Sequence, residues 1–241
     1  MLKFSRGNAK LDKLEKKIKG QVWTFSLLSG HSCPYAKDCR SQAVESASGK
    51  LSIQDGPHTL FRCFSASQEA FFKNVYNSRK SNMALVELAA KSVDDAAKLI
   101  VSMIPKKCKA VRIHVGGDFK TQAYFDSWLL AACKRPDLIF YAYTKSLPFW
   151  VSRLPNIPTN FVLTASYGGY KDNLIAEYNL RYSKVVFSKY EAKQLKLPID
   201  HDDSHAYRPV GNFALLVHGI QPAKSKARKA MDRMGGASSY S

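Results

Sequence analysis

RIHVGGDF, Arg112 to Phe119, reads as the end of a strand that breaks on two glycines and a carboxylate. The residues leading in, Ala110 to Val115, are β-prone, and the Gly-Gly-Asp turn opens a helix whose Phe125, Trp128, Leu129 and Ala132 are spaced for one buried face. This is a β/α unit, and the pattern repeats downstream. Candidate strands at Leu138 to Tyr143, Phe161 to Ser166, Lys184 to Ser188 and Phe213 to His218 alternate with short helices or loops. Upstream, VWTFSLLSG (Val22 to Gly30) reads as a buried strand running into a loop, and Thr59 to Phe64 as a second short strand. Helices are expected at about Ser67 to Tyr76 and Asn82 to Ala90. A clearer one starts at Ser92, with Asp95 in a capping-box position, Ala96, Ala97, Ile100 and Val101 on one face, and Pro105 to stop it. Leu11, Leu14 and Ile18 form a stripe in a lysine-rich helix that ends at Gly20.

The alternation predicts an α/β fold with parallel β/α units, whose chemistry gathers at the carboxyl ends of the strands. About seven strands in 241 residues suit an incomplete or compact parallel (β/α) barrel better than a full one. No internal repeat, low-complexity linker or domain boundary interrupts the chain, so one domain is expected over residues 1–241. It carries a basic segment at 1–20 and a basic, flexible tail at 221–241.

Composition narrows the function classes. With 45% hydrophobic and 23% charged residues the chain is globular rather than disordered. It has no stretch of ~20 apolar residues and no secretion-signal core, so a cytoplasmic protein without a membrane partner is expected. The formal charge of +18 makes an anionic partner such as nucleic acid plausible. Half of that excess, +9, sits in the two ends, where basic residues attract phosphates weakly without reading sequence.

The strongest chemical signal is GHSCPYAKDCR. Cys33 and Cys39 share a loop just beyond the first strand, Pro34 stiffens it, and Cys63 follows at a distance. Five cysteines are too few and too irregular for a disulfide framework. Thiolates are soft ligands suited to iron–sulfur clusters and zinc. Three of them leave one iron of a four-iron cluster open to a substrate, a water or a side chain such as His31. Zinc, or three separate buried thiols, are the other readings. Cys133 reads as core and Cys108 as an exposed thiol in a lysine-rich connection.

Gly116 and Gly117 let backbone approach a ligand, and Asp118 offers a carboxylate to an ammonium or hydroxyl group. In a parallel architecture this turn lies on the same face as the Cys33 loop. His114, Lys145, Ser166, Tyr167 and the Gly168-Gly169 pair come from the same strand ends. Each has a structural alternative: Lys145 can snorkel to solvent, His114 can alternate out of its strand, and the glycines can simply turn the chain. Tyr141, Tyr143, Phe149 and Trp150 are available to stack on a ring or to fill a core. HDDSH, His201 to His205, is either a polar loop or a metal-holding segment of a hydrolase.

Taken together, a strand followed by a cysteine loop and a later strand ending in Gly-Gly-acid resembles the radical S-adenosylmethionine (SAM) superfamily. The resemblance implies a [4Fe-4S] cluster on Cys33, Cys39 and Cys63 and a SAM contact from the Gly116-Gly117-Asp118 turn, with Lys145 and Ser166, from the same strand ends, as further candidate cofactor-binding residues. GHSCPYAKDC, RIHVGGDF, FYAYTKSLPFW and HDDSHA look more closely like a bacteriophage family, gene product eighty-eight, over most of the chain. That implies a phage-encoded iron–sulfur protein acting in the host cytoplasm. The cysteine spacing departs from the radical-SAM C-x3-C-x2-C loop, and Asp118 stands where that superfamily has glutamate.

Overall fold

The computed structural model describes residues 2–7 and 9–235. Its strands are β1 (Phe4–Ser5), β2 (Gln21–Phe25), β3 (Ser41–Glu45), β4 (Leu51–Asp55), β5 (Cys108–Ile113), β6 (Ile139–Thr144), β7 (Phe161–Ser166), β8 (Tyr182–Val186) and β9 (Phe213–Leu216). The helices are α1 (Ala9–Ile18), α2 (Phe64–Phe71), α3 (Lys73–Asn82), α4 (Ala84–Lys91), α5 (Val93–Met103), α6 (Gln122–Lys134), α7 (Leu147–Val151), α8 (Asn173–Glu177), α9 (Lys189–Gln194), α10 (Ser204–Tyr207) and α11 (Lys226–Arg233).

Seven strands form one sheet in the order β1-β2-β5-β6-β7-β8-β9. Only β1 is antiparallel to its neighbour; every pair from β2 to β9 is parallel. Each new parallel strand therefore joins beside the previous one, and all their carboxyl ends emerge along one edge. The register staggers those ends: Phe25 faces Ile113 and Thr144 faces Ala165, whereas Ser166 at the end of β7 faces Ser183 near the start of β8, so β8 and β9, level with each other at Val186 and Leu216, run on past β7.

Both faces of the sheet are covered, which explains the near-continuous apolar strands. On one face Phe25, Ile113, Phe140 and Leu163 pack against Phe125, Trp128 and Ala132 of α6 and Ala96 and Ile100 of α5. On the other, Val22, Ala110, Tyr141, Val162 and Phe213 meet Leu11 and Leu14 of α1 and Ala206 of α10. Helix starts follow local chemistry. The Ser92 hydroxyl accepts from the Asp95 amide at 3.2 Å, and Thr121 accepts from the Tyr124 amide at 3.2 Å, each satisfying an amide that its own helix leaves unpaired.

The parallel β/α pattern expected from the sequence is present, with several corrections. Thr59 to Phe64 is not a strand: the chain there bonds sideways, Leu60 and Phe61 donating to the Asp38 carbonyl, before α2 begins at Phe64. The β3–β4 hairpin instead occupies the region between Cys39 and Gly56, and its alternating, partly exposed residues give little apolar signal. Cys133 is exposed, because the buried face of α6 ends at Ala132. Cys108 is buried as the first residue of β5, its thiol donating to the Ala110 carbonyl at 3.2 Å. The expected flexible tail is helical in its first part. Ser225 caps α11, and Ala227 and Met231 pack onto Val217. Residues 236–241 of that segment lie outside the described residues. Among the described residues, no helix is long and apolar enough to cross a membrane.

Trp128 is fully buried, with its ring 5.3 Å from Phe25, 6.3 Å from Phe140 and 6.5 Å from Phe4. It joins β1, β2 and β6 to α6. Trp128→Ala is expected to lower unfolding stability by about 3–5 kcal/mol in a denaturant titration.

Candidate functional site

Loops at the carboxyl edge of the sheet enclose a cavity of about 490 Å³. This is within the range of small-molecule sites. Cys33, Cys39 and Cys63 all line it, together with Gly117, Asp118, Lys145 and Ser166. The remote cysteine is brought in by backbone bonding rather than by spacing. The Ser41 hydroxyl accepts from the Cys63 amide at 3.3 Å, and Ser41 itself donates its amide to the Cys39 carbonyl at 2.8 Å. The 56–63 segment is laced to the same loop through Gly56, whose amide donates to the Arg40 carbonyl at 2.6 Å. On its other side Arg62 exchanges two hydrogen bonds with the Gln221 side chain, at 2.7 and 3.0 Å.

The glycine turn holds these pieces together. A Cβ on Gly116 would lie 2.1 Å from the Ser65 hydroxyl, and one on Gly117 would lie 2.5 Å from the Ser32 hydroxyl. Gly117 also has φ +85°, a conformation glycine adopts without strain. So Gly116 faces the start of α2 rather than the cavity, and the space its missing side chain leaves is filled by protein. Gly117 does the same for the Cys33 loop while lining the cavity.

Asp118 is buried and committed to structure. Its Oδ1 accepts from the Thr144 hydroxyl at 2.6 Å and the Phe119 amide at 2.7 Å, and its Oδ2 accepts from the Lys145 amide at 2.8 Å. Burial raises its carboxyl above the ordinary value against the pull of these bonds. Lys145 does not snorkel: it is 7% exposed, and its Nζ donates to the Ser166 Oγ at 2.6 Å. Two sequence candidates from separate strands thus form one pair on the cavity wall.

The thiols are strained as ions. Burial, then the nearby Asp118, Cys63 and Cys39, push the Cys33 thiol well up. Burial and Cys39 push Cys63 up to about 11, although the amides of Ser65 and Ala66 at the start of α2 favour its thiolate. A soft cation among the three would remove both penalties. Among the described residues, no group of three His, Cys, Asp or Glu side chains is gathered as a ready-made single-ion site.

Of the other candidates His114 and Tyr143 also line the cavity, and the rest lie elsewhere or serve packing. The exposed His31 has its Nε2 2.9 Å from the Ala43 carbonyl oxygen and lines a separate groove beside the hairpin. His114 is buried 2.8 Å from the Tyr124 hydroxyl, and burial drives its pKa down to about 3. The amides of Gly168 and Gly169 donate to Asp172, and the Gly168 carbonyl accepts from Asp38, so this pair ties the cysteine loop to β7. Tyr167 packs edge-on to Tyr182. Tyr141 and Trp150 are buried, and Phe149 meets Tyr35.

The HDDSH carboxylates are occupied by neighbouring groups. Asp203 pairs with Arg112 at 2.6 Å and Lys10 at 2.9 Å and accepts from the hydroxyls of Tyr141 and Tyr143. Asp202 is engaged by Lys17 and Ser204. Tyr143, one of the aromatic candidates, lines the cavity, as do Arg112 and His218, which were not singled out in the sequence. A charged residue within an otherwise apolar strand, as Arg112 is within AVRIHV, is the signal that points to it.

The family model described as Gene product 88 matches residues 2–233. The chain belongs to the Gene product 88 family. Every cavity residue of this Gene product 88 protein lies inside the matched span. The phage family expected from the sequence is therefore the right one, while these comparisons lend no support to the radical-SAM resemblance. No curated protein and no solved structure matches the chain.

Asp203 provides a pH test of the cavity floor. Burial alone would raise its carboxyl, but Arg112 and Lys10 outweigh burial and hold it below the ordinary value. A depressed folded pKa adds stability that is complete above the unfolded value, near ~4, and is lost as pH falls through the folded one. Wild-type stability is expected to decline below about pH 5. Asp203→Asn should flatten that decline and cost about 3–5 kcal/mol at neutral pH, measured by urea unfolding across pH, because Arg112 is left without its buried partner.

Proposed function

We propose that this Gene product 88 protein binds an iron–sulfur cluster, with Cys33, Cys39 and Cys63 as its thiolate ligands. The observation that carries the reading is the convergence of these three thiols, two from one loop and one from the start of α2, on a single cavity. A [4Fe-4S] cluster would supply electron transfer and one iron without a protein thiolate. The protein's part is to exclude solvent from the sulfurs and to direct the Ser65 and Ala66 amides toward Cys63. Hydrogen bonds to thiolate sulfur tune a cluster's potential. All five cysteines are free thiols, as a reducing host cytoplasm would keep them.

SAM is the second cofactor of this reading. Lys145 and Ser166 suit its carboxylate, because the buried ammonium has only a neutral hydroxyl as side-chain partner and retains protons to donate. Gly117 and Asp118 complete that wall. Parallel strands added in chain order, with residues of β5 to β9 all facing one cavity, favour a partial (β/α) barrel of the radical-SAM kind.

Protein purified without oxygen is expected to be brown, with a broad absorption near ~400 nm and about four irons and four sulfides per chain. Cys33→Ala, Cys39→Ala and Cys63→Ala should each lose most of that iron, and Cys133→Ala should retain it. Full iron content in all three single variants would overturn the ligand assignment.

A further inference from the structure

The cavity has a second polar group besides Lys145 and Ser166, contributed by α1, β5 and β6. Arg112, 9% exposed, lines the cavity beside Lys10 and Tyr143. Its guanidinium lies 5.2 Å over the Tyr143 ring, which fixes the plane of the fork. Only one of its three nitrogens is committed: Nη1 donates to Asp203 at 2.6 Å. Nε is closed off from solvent without a hydrogen-bond partner, and among the described residues no hydrogen bond of Nη2 is found, so Nη2 is the one nitrogen left to donate to a group in the cavity that Arg112 lines. A guanidinium carries five N–H donors in a rigid fork and is matched by planar or tetrahedral oxyanions.

The two cations and two carboxylates at this end balance, so an incoming oxyanion would gain from donor geometry rather than from excess charge. Asp203 divides its single negative charge between Arg112 and Lys10 and also takes the hydroxyls of Tyr141 and Tyr143. Asp200, the other carboxylate at this end, is held by Lys10 and by His205. Next to this floor the wall from β8, β9 and the start of α2 is apolar, formed by Phe64, Val185, Leu215 and Val217.

We infer that the Arg112 end of the cavity is a ligand subsite for a carboxylate or phosphoryl group carried on an apolar or aromatic body. The oxyanion lies on the free edge of Arg112 and the body lies along the Phe64–Val217 wall. This goes beyond cluster binding and does not depend on it, since none of these contacts involves a cysteine.

The test uses isothermal titration calorimetry on the purified full chain, with iron content measured on the same sample. Benzoate, phenyl phosphate and benzyl alcohol are the probes. They share a ring, and only the first two carry an oxyanion. At least one of these two is expected to bind tenfold or more tightly than benzyl alcohol, and which one does so tells carboxylate from phosphoryl. Arg112→Lys, which keeps a cation for Asp203 but removes the fork, should weaken that binding about tenfold, whereas Cys33→Ala should leave it intact even where iron is lost. Equal binding of all three probes, or no binding at millimolar concentration, overturns the subsite. So does loss in Lys145→Gln with retention in Arg112→Lys, which would place the oxyanion at Lys145 instead. If Arg112→Lys fails to fold by circular dichroism, the wild-type comparison and Lys145→Gln still decide.

Discussion

The absence of two β-carbons, at Gly116 and Gly117, is the constraint on which the site depends. With side chains there, Ser65 and Ser32 would have to move, and with them the start of α2 and the Cys33 loop. The next residue completes the arrangement, since Asp118 binds the end of β6 through Thr144 and the Lys145 amide. One short turn therefore sets the separation of three segments that carry the three cysteines and Lys145. Its tolerances are those of backbone contact rather than of flexible side chains.

A second layer of polar bonding keeps that turn supported from below. Glu69 is fully buried, accepting from the amide and hydroxyl of Ser29 and from Arg79 at 2.7 Å. Arg79 in turn donates to the carbonyl and hydroxyl of Ser65. A buried ion pair with its remaining valences satisfied in this way contributes specificity of arrangement more than net stability. Here it fixes how α2 sits under the Cys33 loop, and so where Cys63 faces.

The parallel core was legible because its strands are buried on both faces and read as uninterrupted apolar runs ended by glycine or serine. Phe161 to Ser166 and the Ser92 cap are local signals that the tertiary structure leaves in force. The β3–β4 hairpin was not legible because its alternating residues are partly exposed, nor was the 56–63 segment, because backbone bonds to the Asp38 and Arg40 carbonyls hold it and such bonds carry no side-chain pattern. Cysteine, glycine and lysine positions at strand ends pointed to the right edge of the sheet, and the cavity gathers most of them. What the sequence obscured was the division of labour among them. Gly116 and Asp118 read alike as ligand contacts, yet Gly116 abuts Ser65, whereas Asp118 lines the cavity while also bonding Thr144 and the Lys145 amide. Arg112 drew no separate reading, although it lines the cavity and pairs with Asp203, a residue 91 positions away.

The cavity wall draws on residues from Gly7 to His218, and the loop bearing Cys63 is clasped by Gln221. A chain emerging from the ribosome exposes Cys33, Cys39 and Cys63 long before β9 and Gln221 exist to enclose them. During synthesis the three sulfurs are thus ordinary accessible thiols, open to oxidation and to any soft metal at hand. The enclosed site comes into being only as the sheet receives its last strand. Maturation of this protein is consequently a matter of timing: whatever enters the cavity must arrive before the final β/α unit docks, or pass through the mouth that remains afterwards.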